Sequence, residues 1–344
     1  MSNLRYLVIG AGAIGGLVGG KLAAQGRAVS VVARVETIDR LREEGLTVKE
    51  GEQTFRSQPA VYLTAGEALA AGADVILLAV KGFDTGSAIA ELQASGQPVP
   101  PIVCLQNGVD NEPALAAAFG ADRVIAATVT TAVSVPAAGV VVIEKARGLG
   151  VAEGHALSKP IAADLTAAGF NVRMYANADA MKWSKLLGNL TANATSAICD
   201  LPPRALFQHD GLYDIEIDML REALTVMQAK GIPAVDLPGG PMRLLAFGVR
   251  NLPRRLYRPY FSRAFGGARG EKMPSFHIDL SRGGALSEVD WLNGAVVRHG
   301  QAVGVPTPVN AALTDILTGL MRDRSSWGQF RGQPAALVAA IRRK

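Results

Sequence analysis

The fold is decided close to the N-terminus by the stretch Tyr6-Leu7-Val8-Ile9-Gly10-Ala11-Gly12-Ala13-Ile14-Gly15. Its first residues are apolar and predict a buried strand, and the residues after it follow the apolar spacing of a helix. Gly10 permits a tight turn between the two, Gly12 lets the backbone approach a pyrophosphate, and Gly15 lets the helix pack closely on the strand. The helix N-terminus supplies N–H groups and a positive dipole to an anion. The stretch therefore predicts a dinucleotide-binding turn at positions Gly10, Ala11, Gly12, Ala13, Ile14 and Gly15.

The first half of the chain alternates short apolar runs with longer helical patterns, which is typical of a parallel sheet covered by helices on both faces. The apolar runs predict strands at Tyr6–Ile9, Ala28–Ala33, Val75–Ala79 and Ile102–Leu105. The helical patterns predict helices at Ala13–Gln25, Glu36–Glu44, Thr85–Ala94 and Glu112–Phe119. Together they predict an α/β fold with an N-terminal Rossmann-type dinucleotide-binding domain.

The pattern changes in the second half of the chain. Between Arg123 and Val151, β-branched runs predict additional antiparallel strands, and strand patterns largely end near Ala176. Long helical patterns then dominate, at Ala180–Cys199, Leu212–Lys230 and Leu286–Val303. We therefore expect a nucleotide-binding domain over residues 1–176 and a mostly α-helical C-terminal domain over residues 177–344.

The residue after the second predicted strand bears on the choice of dinucleotide. A site for NAD typically has an acidic residue there, which accepts hydrogen bonds from the ribose hydroxyls. This chain has Arg34, whose guanidinium can pair with a 2′-phosphate through two hydrogen bonds, so the sequence favours NADP. Glu36 follows two positions later and keeps NAD open as the alternative.

A polar pattern in the C-terminal half suggests chemistry. Lys185, Asn189 and Asn193 are spaced four residues apart, so on one continuous helix they would share a face. Carboxamides can orient a carbonyl and a carboxylate, and a partly desolvated lysine can donate a proton to an oxygen that gains charge. The alternative is an ordinary solvated face, although no acidic residue occurs between Lys182 and Ile198.

Composition excludes several classes of protein. Of 344 residues, 49% are hydrophobic and 19% are charged, with a mean hydropathy of +0.21, values typical of a folded globular chain. No stretch reaches the roughly 20 apolar residues that a membrane span needs. Cys104 and Cys199 are too few for a disulfide scaffold and lack zinc-site spacing, so we expect a cytoplasmic protein without a bound metal.

A basic window marks the C-terminal half. Between Gly240 and Lys272 the sequence has eight arginines and lysines against the single acid Glu271. Aromatic residues interleave with them, as in some nucleic-acid binders. We favour a basic insertion whose side chains cover a neighbouring surface or a subunit contact. An anion-binding surface remains the alternative, and no nucleic-acid partner is expected.

These motifs, in this order, resemble the ketopantoate reductase (2-dehydropantoate 2-reductase) family over almost the whole chain. The resemblance rests on the glycine turn with Arg34, on Lys185 with Asn189 and Asn193, and on four further groups of residues. The four groups are Val80-Lys81-Gly82, Leu105-Gln106-Asn107-Gly108, Ser275 and Ser287-Glu288-Val289-Asp290.

The resemblance implies roles for these residues. It implies that Lys185 is the general acid, and that Lys81 and Asn107 lie near the nicotinamide, with Asn107 also reaching the substrate. It further implies that Asn189, Asn193 and Ser275 hold the substrate, and that Glu288 is an acidic partner near the lysine or the cofactor. The implied reaction is NADPH-dependent reduction of 2-dehydropantoate to pantoate, in pantothenate biosynthesis, by a homodimer that binds a small keto acid and no membrane.

The chain departs from the family pattern at three places. Ala194 replaces a common proline, Pro202-Pro203 replaces a common asparagine, and Phe276-His277 follows Ser275 after an unusually long segment. Reduction of a different 2-keto or 3-keto acid is therefore an alternative, and a non-catalytic NADPH-binding protein is a second one. His277 neighbours Ser275, but we do not expect it to be the acid.

Overall fold

The computed structural model describes residues 3–263 and 273–343. The chain divides into two compact units. The first contains Met1–Lys182 and Leu237–Gly240, and the second contains Trp183–Asp236 and Pro241–Lys344. The division falls inside one helix. The domain bounds inferred from the sequence stay a prediction.

The first unit is built on a large sheet. Its strands are β1 (Arg5–Ile9), β2 (Ala28–Val32), β5 (Ala60–Tyr62), β6 (Val75–Leu78), β7 (Ile102–Cys104), β8 (Val124–Val129), β11 (Leu149–Ala152) and β12 (Val172–Tyr175). The order is β12-β11-β8-β7-β6-β1-β2-β5, and neighbours are parallel except β8 and β11. Parallel strands in this order confirm the predicted α/β class.

A smaller sheet contains β3 (Leu46–Glu50), β4 (Gln53–Ser57), β9 (Ala132–Ala137) and β10 (Val140–Lys145), in the order β4-β3-β10-β9. β9 and β10 are antiparallel, as expected for this region, whereas β10 pairs with β3 in parallel. β3, β4 and β5 were not predicted from the sequence, because β3 and β4 are only partly apolar and β5 is only three residues long.

Helices of the first unit are α1 (Ala13–Ala24), α2 (Val35–Glu44), α3 (Ala65–Ala70), α4 (Thr85–Ala94), α5 (Asn111–Phe119) and α6 (Ser158–Ala167). Helix α1 lies between the two sheets. A Cβ atom added at Gly19 would lie 2.8 Å from Val8 of β1, and one added at Gly20 would lie 2.9 Å from Val48 of β3. Glycines on both sides thus let the helix contact both sheets closely.

The core of the first unit covers both faces of the large sheet. Alternate residues of β1 point to opposite faces. Tyr6 and Val8 pack in the cluster that contains α1, and Leu7 and Ile9 pack in a second cluster with α3 and α4. Burial on both faces is the reason that the strand sequences are almost continuously apolar.

The second unit is helical in the part that the structure describes. Its helices are α7 (Ala178–Leu190), which begins in the first unit, α8 (Ala194–Cys199), α9 (Pro203–Leu206), α10 (Asp210–Ala229), α11 (Met242–Asn251), α12 (Arg254–Phe261), α13 (Ser275–Ser281), α14 (Val289–Ala302), α15 (Pro308–Arg322) and α16 (Pro334–Arg342). Large side chains fill its interior, among them Trp183, Phe207, Phe261 and Phe276. This confirms the predicted mostly α-helical C-terminal region.

The single helix predicted over Ala180–Cys199 is wrong. The chain leaves helical geometry after Leu190 and resumes it at Ala194, with Ala192 in the left-handed region at φ +52°. An alanine pays a steric cost in that region, so other contacts must hold it there. The buried carboxylate of Glu216 provides one, because it accepts a hydrogen bond from the backbone nitrogen of Ala192.

Candidate active site

The glycine turn has the geometry of a nucleotide cradle. Gly10 has φ +98°, and a Cβ atom there would lie 2.8 Å from the backbone nitrogen of Val80. A Cβ atom at Gly15 would lie 2.0 Å from the carbonyl oxygen of Gly10, so the start of α1 approaches the turn more closely than any side chain permits. Both glycines are therefore required by contact as well as by conformation.

The N-terminus of α1 is open to a ligand. Gly12 is its first flanking residue, and the space of a Cβ atom there has no described atom within 4 Å. No side chain caps the helix, and no acidic residue occurs in its first turn. Ala11, Ala13 and Ile14 complete this open turn, so its backbone fits a dinucleotide pyrophosphate.

Arg34 lies directly before α2 and just after β2 ends. Its side chain is 77% exposed, and its Nη2 atom lies 3.1 Å from Oδ2 of Asp84. Asp84 ends the short 3-10 turn that follows Lys81, so the structure brings Arg34 to the segment that follows β6. Glu36 is in the first turn of α2. To bind a ligand, the guanidinium must either contact the ligand and Asp84 together or break its ion pair with Asp84.

Lys81 and Asn107 lie after β6 and β7, whose C-terminal ends are neighbours in the parallel sheet. Open α/β sheets bind ligands at this edge. Gln106 joins the two segments, because its Nε2 atom donates to the carbonyl oxygens of Val80 at 3.0 Å and Lys81 at 3.3 Å. Asn111 then holds the second segment, donating to the carbonyl oxygen of Asn107 at 2.7 Å.

A buried lysine that the sequence analysis missed supports these segments. Lys182 is 4% exposed, and its Nζ atom lies 2.7 Å from Glu112 and 2.6 Å from the carbonyl oxygen of Gln106. Burial opposes its charge, but the charge of Glu112 holds its pKa above the ordinary value. No sequence pattern pointed to this pair, because its members are 70 positions apart on different elements.

In the second unit, Lys185 and Asn189 lie on α7 and are both half-buried. Asn193 follows the helix break and does not continue their helix, which corrects the single face expected from the spacing. Its Nδ2 atom nevertheless donates to the carbonyl oxygen of Asn189 at 3.1 Å. The break therefore takes Asn193 out of the helix of Asn189, but the two residues stay in contact.

Asn193 and Ser275 contact each other in the second unit. Nδ2 of Asn193 lies 3.5 Å from Oγ of Ser275, and Oδ1 accepts a hydrogen bond from the backbone of Phe276 at 3.2 Å. Ser275 begins α13. Phe276 itself is fully buried in the second unit, so it contributes packing and no ligand contact.

Glu216 is the second residue that the sequence analysis missed. Its carboxylate is fully buried on α10 and accepts hydrogen bonds from the backbone nitrogen of Ala192 at 2.7 Å and from Oγ1 of Thr195 at 2.5 Å. It stabilises the turn that positions Asn193. The sequence did contain a signal for this buried carboxylate. Glu216 lies four residues from both Leu212 and Leu220, which places an acidic residue on the apolar face of α10.

Glu288 directly precedes α14 and is 5% exposed. It lies on an element separate from α7, α8 and α13. Its implied role beside the lysine or the cofactor stays a prediction.

His277 has a carboxylate partner that sequence spacing did not reveal. Its Nε2 atom lies 2.6 Å from Oδ1 of Asp200, while Oδ2 of Asp200 accepts from Nε of Arg331 at 2.6 Å. Burial opposes ionisation of Asp200, but hydrogen bonds from Arg331 and His277 hold its pKa below the ordinary value. Asp200 ends α8, so the pair joins this helix to α13.

The arginines of the basic window largely pair within the second unit. Arg254 contacts Asp214 at 2.8 Å and also Asp218, Arg258 contacts Asp210, and Arg243 contacts Asp236 at 3.0 Å. These ion pairs favour the interpretation that the window covers neighbouring surface. Arg269 and Lys272, together with Glu271, lie outside the described residues.

Two further properties of the described residues bear on the site. Within residues 3–263 and 273–343, no group of three or more His, Cys, Asp or Glu side chains is arranged to hold a metal ion. In that same part of the chain, every helix is too short or too polar to span a membrane.

Comparison with known proteins gives a consistent result. Residues 6–153 match the family model described as "Ketopantoate reductase PanE/ApbA", and residues 177–321 match the model of the C-terminal part of the same family. A relative from Halobacterium salinarum named 2-dehydropantoate 2-reductase is 29% identical, over 93% of this chain and its own full length.

Solved structures show the same likeness. A PanE/ApbA family ketopantoate reductase from Ralstonia eutropha JMP134 is 28% identical with a TM-score of 0.79, covering 94% of this chain and 100% of its own. D-mandelate dehydrogenase in complex with NADH and anilino(oxo)acetate has a TM-score of 0.77 at 20% identity, covering 94% and 100%. The second likeness concerns the fold alone.

Proposed function

The chain belongs to the ketopantoate reductase family, and from this premise we propose that it reduces 2-dehydropantoate to pantoate with NADPH, as a step of pantothenate biosynthesis. The observation that carries the proposal is the contact between Asn193 and Ser275. These two side chains come from distant parts of the sequence. Ser275 would offer its hydroxyl to the substrate, and Asn193, whose amide bonds Asn189, Ser275 and the backbone of Phe276, would orient it.

The first unit would hold the cofactor. Gly10, Ala11, Gly12, Ala13, Ile14 and Gly15 would bind the pyrophosphate at the start of α1, and Arg34 would bind the 2′-phosphate. Lys81 and Asn107, joined through Gln106, would lie toward the nicotinamide. When bound, NADPH supplies the hydride that adds to the C2 carbonyl carbon.

The second unit would supply the acid. Lys185 is half-buried on α7, and its ammonium would protonate the oxygen that becomes an alkoxide. Asn189 and Asn193 would orient the keto acid with Ser275, and Asn107 would also reach it. Glu288 would act as the acidic partner of the lysine or of the cofactor. A homodimer and a cytoplasmic location belong to the same proposal, the latter because buried Cys104 and Cys199 are both free.

Reduction of another 2-keto or 3-keto acid is the second candidate. It is favoured by Pro202 and Pro203, which start α9 where the family often has an asparagine. Proline lacks both a side-chain polar group and a backbone N–H, so this position offers a substrate no hydrogen-bond donor. Ala194, where the family often has a proline, is fully buried at the start of α8 and is a second departure in the same region.

The test is NADPH oxidation by the purified protein with 2-dehydropantoate, measured beside other 2-keto and 3-keto acids. The proposal predicts the highest kcat/KM for 2-dehydropantoate. A higher value for another acid would establish the second candidate. NADPH binding without turnover of any acid would contradict both and leave a non-catalytic NADPH-binding protein.

A further inference from the structure

A cavity in the first unit has no role in the proposed reaction. Its volume is about 210 Å³, which exceeds the ~30 Å³ that one water molecule occupies in the liquid several times over. The lining residues all belong to the first unit and are Lys21, Glu50, Thr131, Ile143, Ala146, Arg147, Gly148, Gly169, Phe170 and Asn171. Two cations and one carboxylate therefore face one small space.

One of the two cations is already compensated. Lys21 on α1 is 4% exposed, and its Nζ atom lies 2.7 Å from Oε2 of Glu50. The rings of Phe55 and Phe170 lie 4.9 Å and 5.1 Å from the same ammonium and add cation–π attraction. Lys21 and Glu50 thus form a neutral pair at one side of the cavity.

The other cation has no counter-charge. Among residues 3–263 and 273–343, no carboxylate lies within ion-pair distance of the Arg147 guanidinium, and its buried Nε atom has no hydrogen-bond partner there. Its Nη1 atom donates one long hydrogen bond to the carbonyl oxygen of Thr130, at 3.5 Å. Burial accordingly lowers the pKa of Arg147 from its ordinary value. A half-buried and unpaired charge destabilises the protein unless an anion joins it.

The backbone and the aliphatic stem of Arg147 are held in place by their surroundings. The stem of Arg147 lies so close over Gly239 that a Cβ atom there would be 2.7 Å from Cγ of the arginine. Oγ1 of Thr131 accepts hydrogen bonds from the backbone nitrogens of Arg147 and Gly148 at 3.2 Å and 3.1 Å. Asn171 donates to the carbonyl oxygen of Arg147 at 3.2 Å. A fixed arginine loses little side-chain entropy when it binds a ligand.

We propose that this cavity binds a small oxyanion, whose carboxylate or phosphate oxygens pair with the guanidinium of Arg147. Guanidinium groups prefer such oxygens because two parallel N–H donors match them. The Lys21–Glu50 pair borders the site. The ammonium of Lys21 attracts the anion, and the carboxylate of Glu50 repels it. This site is independent of the proposed reductase function and is separate in sequence from the glycine turn and Arg34.

The direct test is calorimetric titration of the full-length protein with inorganic phosphate and, separately, with acetate, at constant ionic strength. Saturable binding of either anion is expected, and the stronger one identifies phosphate or carboxylate as the preferred group. Arg147→Gln should weaken binding by about tenfold or more, because it removes a charge-assisted hydrogen bond. Glu50→Gln should strengthen binding, because it removes the one carboxylate of the cavity.

Two control variants locate the anion. Arg56→Gln removes an exposed arginine of β4 and should leave binding unchanged. Arg34→Gln removes the guanidinium proposed for the cofactor phosphate, so the binding that remains in this variant is binding outside the cofactor site. Loss of binding in Arg34→Gln with retention in Arg147→Gln would overturn the proposal, as would the absence of saturable binding to the unmodified protein. Should Arg147→Gln fail to fold, Glu50→Gln and Arg147→Lys supply the test, since unchanged affinity in both would equally overturn it.

Discussion

Ser275 Oγ lies 3.5 Å from Asn193 Nδ2, although 82 positions separate the two residues in the sequence. Asn193 follows the break between α7 and α8, and Ser275 begins α13. A further hydrogen bond of the same asparagine, from the backbone of Phe276, fixes the start of α13 relative to α8. This contact brings together two side chains proposed to bind the substrate.

Replacing Asn193 should therefore affect the substrate more than the cofactor. Asn193→Ala is expected to raise the KM for the keto acid by about tenfold, the loss of roughly one well-placed hydrogen bond, while the Kd for NADPH stays unchanged. Steady-state kinetics and fluorescence titration measure the two quantities. Asn293→Ala, which removes another fully buried asparagine of the second unit, is the control for general destabilisation. An equal rise in KM in this control would contradict the assigned role.

The Arg34–Asp84 pair should set the preference between NADPH and NADH. The carboxylate lies 3.1 Å from the guanidinium proposed to bind the 2′-phosphate, where it would repel that phosphate. Asp84→Asn should tighten NADPH binding several-fold, and Arg34→Gln should weaken it by about tenfold. NADH binding should change little in either variant. Equal changes for both cofactors, measured by fluorescence titration, would show that Arg34 does not contact the 2′-phosphate.

The buried pair of Lys182 and Glu112 should contribute strongly to stability. Lys182→Met leaves Glu112 without its counter-charge, so the free energy of unfolding should fall by about 3 to 5 kcal/mol. Adding Glu112→Gln should restore part of the loss, because the uncompensated charge is then removed. Urea unfolding measures all the variants. If the losses of unfolding free energy in the two single variants simply add in the double variant, the coupling is ruled out. Arg40→Met, which removes an exposed ion pair, is the control and should have little effect.

Asp200 should make stability depend on acidic pH. Its pKa is lowered in the folded state, so its contribution is present above the ordinary aspartate pKa of about 3.9 and is lost as the pH falls through the folded value. Asp200→Asn should lower the free energy of unfolding at neutral pH. In this variant the free energy of unfolding should also fall less steeply as the pH becomes acidic. Urea unfolding at a series of acidic pH values tests this, with Asp39→Asn, an exposed change on α2, as the control. A curve for Asp200→Asn parallel to that of the unmodified protein would refute the coupling.

Much of the first unit could be predicted from sequence because its signals are local. The glycine turn, the apolar strands and helices such as Thr85–Ala94 each depend on neighbouring residues, and α4 has the predicted bounds. The small sheet was missed because β3 and β4 are only partly apolar, and their stability comes from pairing with β10 and from contact with α1. Tertiary contacts of this kind leave little trace in a short segment.

The roles proposed for the site residues stay predictions, and the one helix face expected for Lys185, Asn189 and Asn193 is wrong. Asn193 and Ser275 were named from the sequence, but the break that turns Asn193 depends on Glu216, which lies on α10. No glycine or proline occurs between Leu190 and Ala194 to indicate a break. The pairing of Lys182 with Glu112 likewise joins elements far apart in the chain, which spacing alone does not reveal.

The central claim is that Lys185 donates the proton during reduction of 2-dehydropantoate. The most direct measurement is the single-turnover rate of NADPH oxidation with this substrate, in the unmodified protein and in Lys185→Met, together with the Kd for NADPH. The account predicts a rate lower by about 10²- to 10⁴-fold with an unchanged Kd, while Lys159→Met, which changes an exposed lysine, retains full rate. A Lys185→Met rate within a few-fold of the unmodified protein would contradict it.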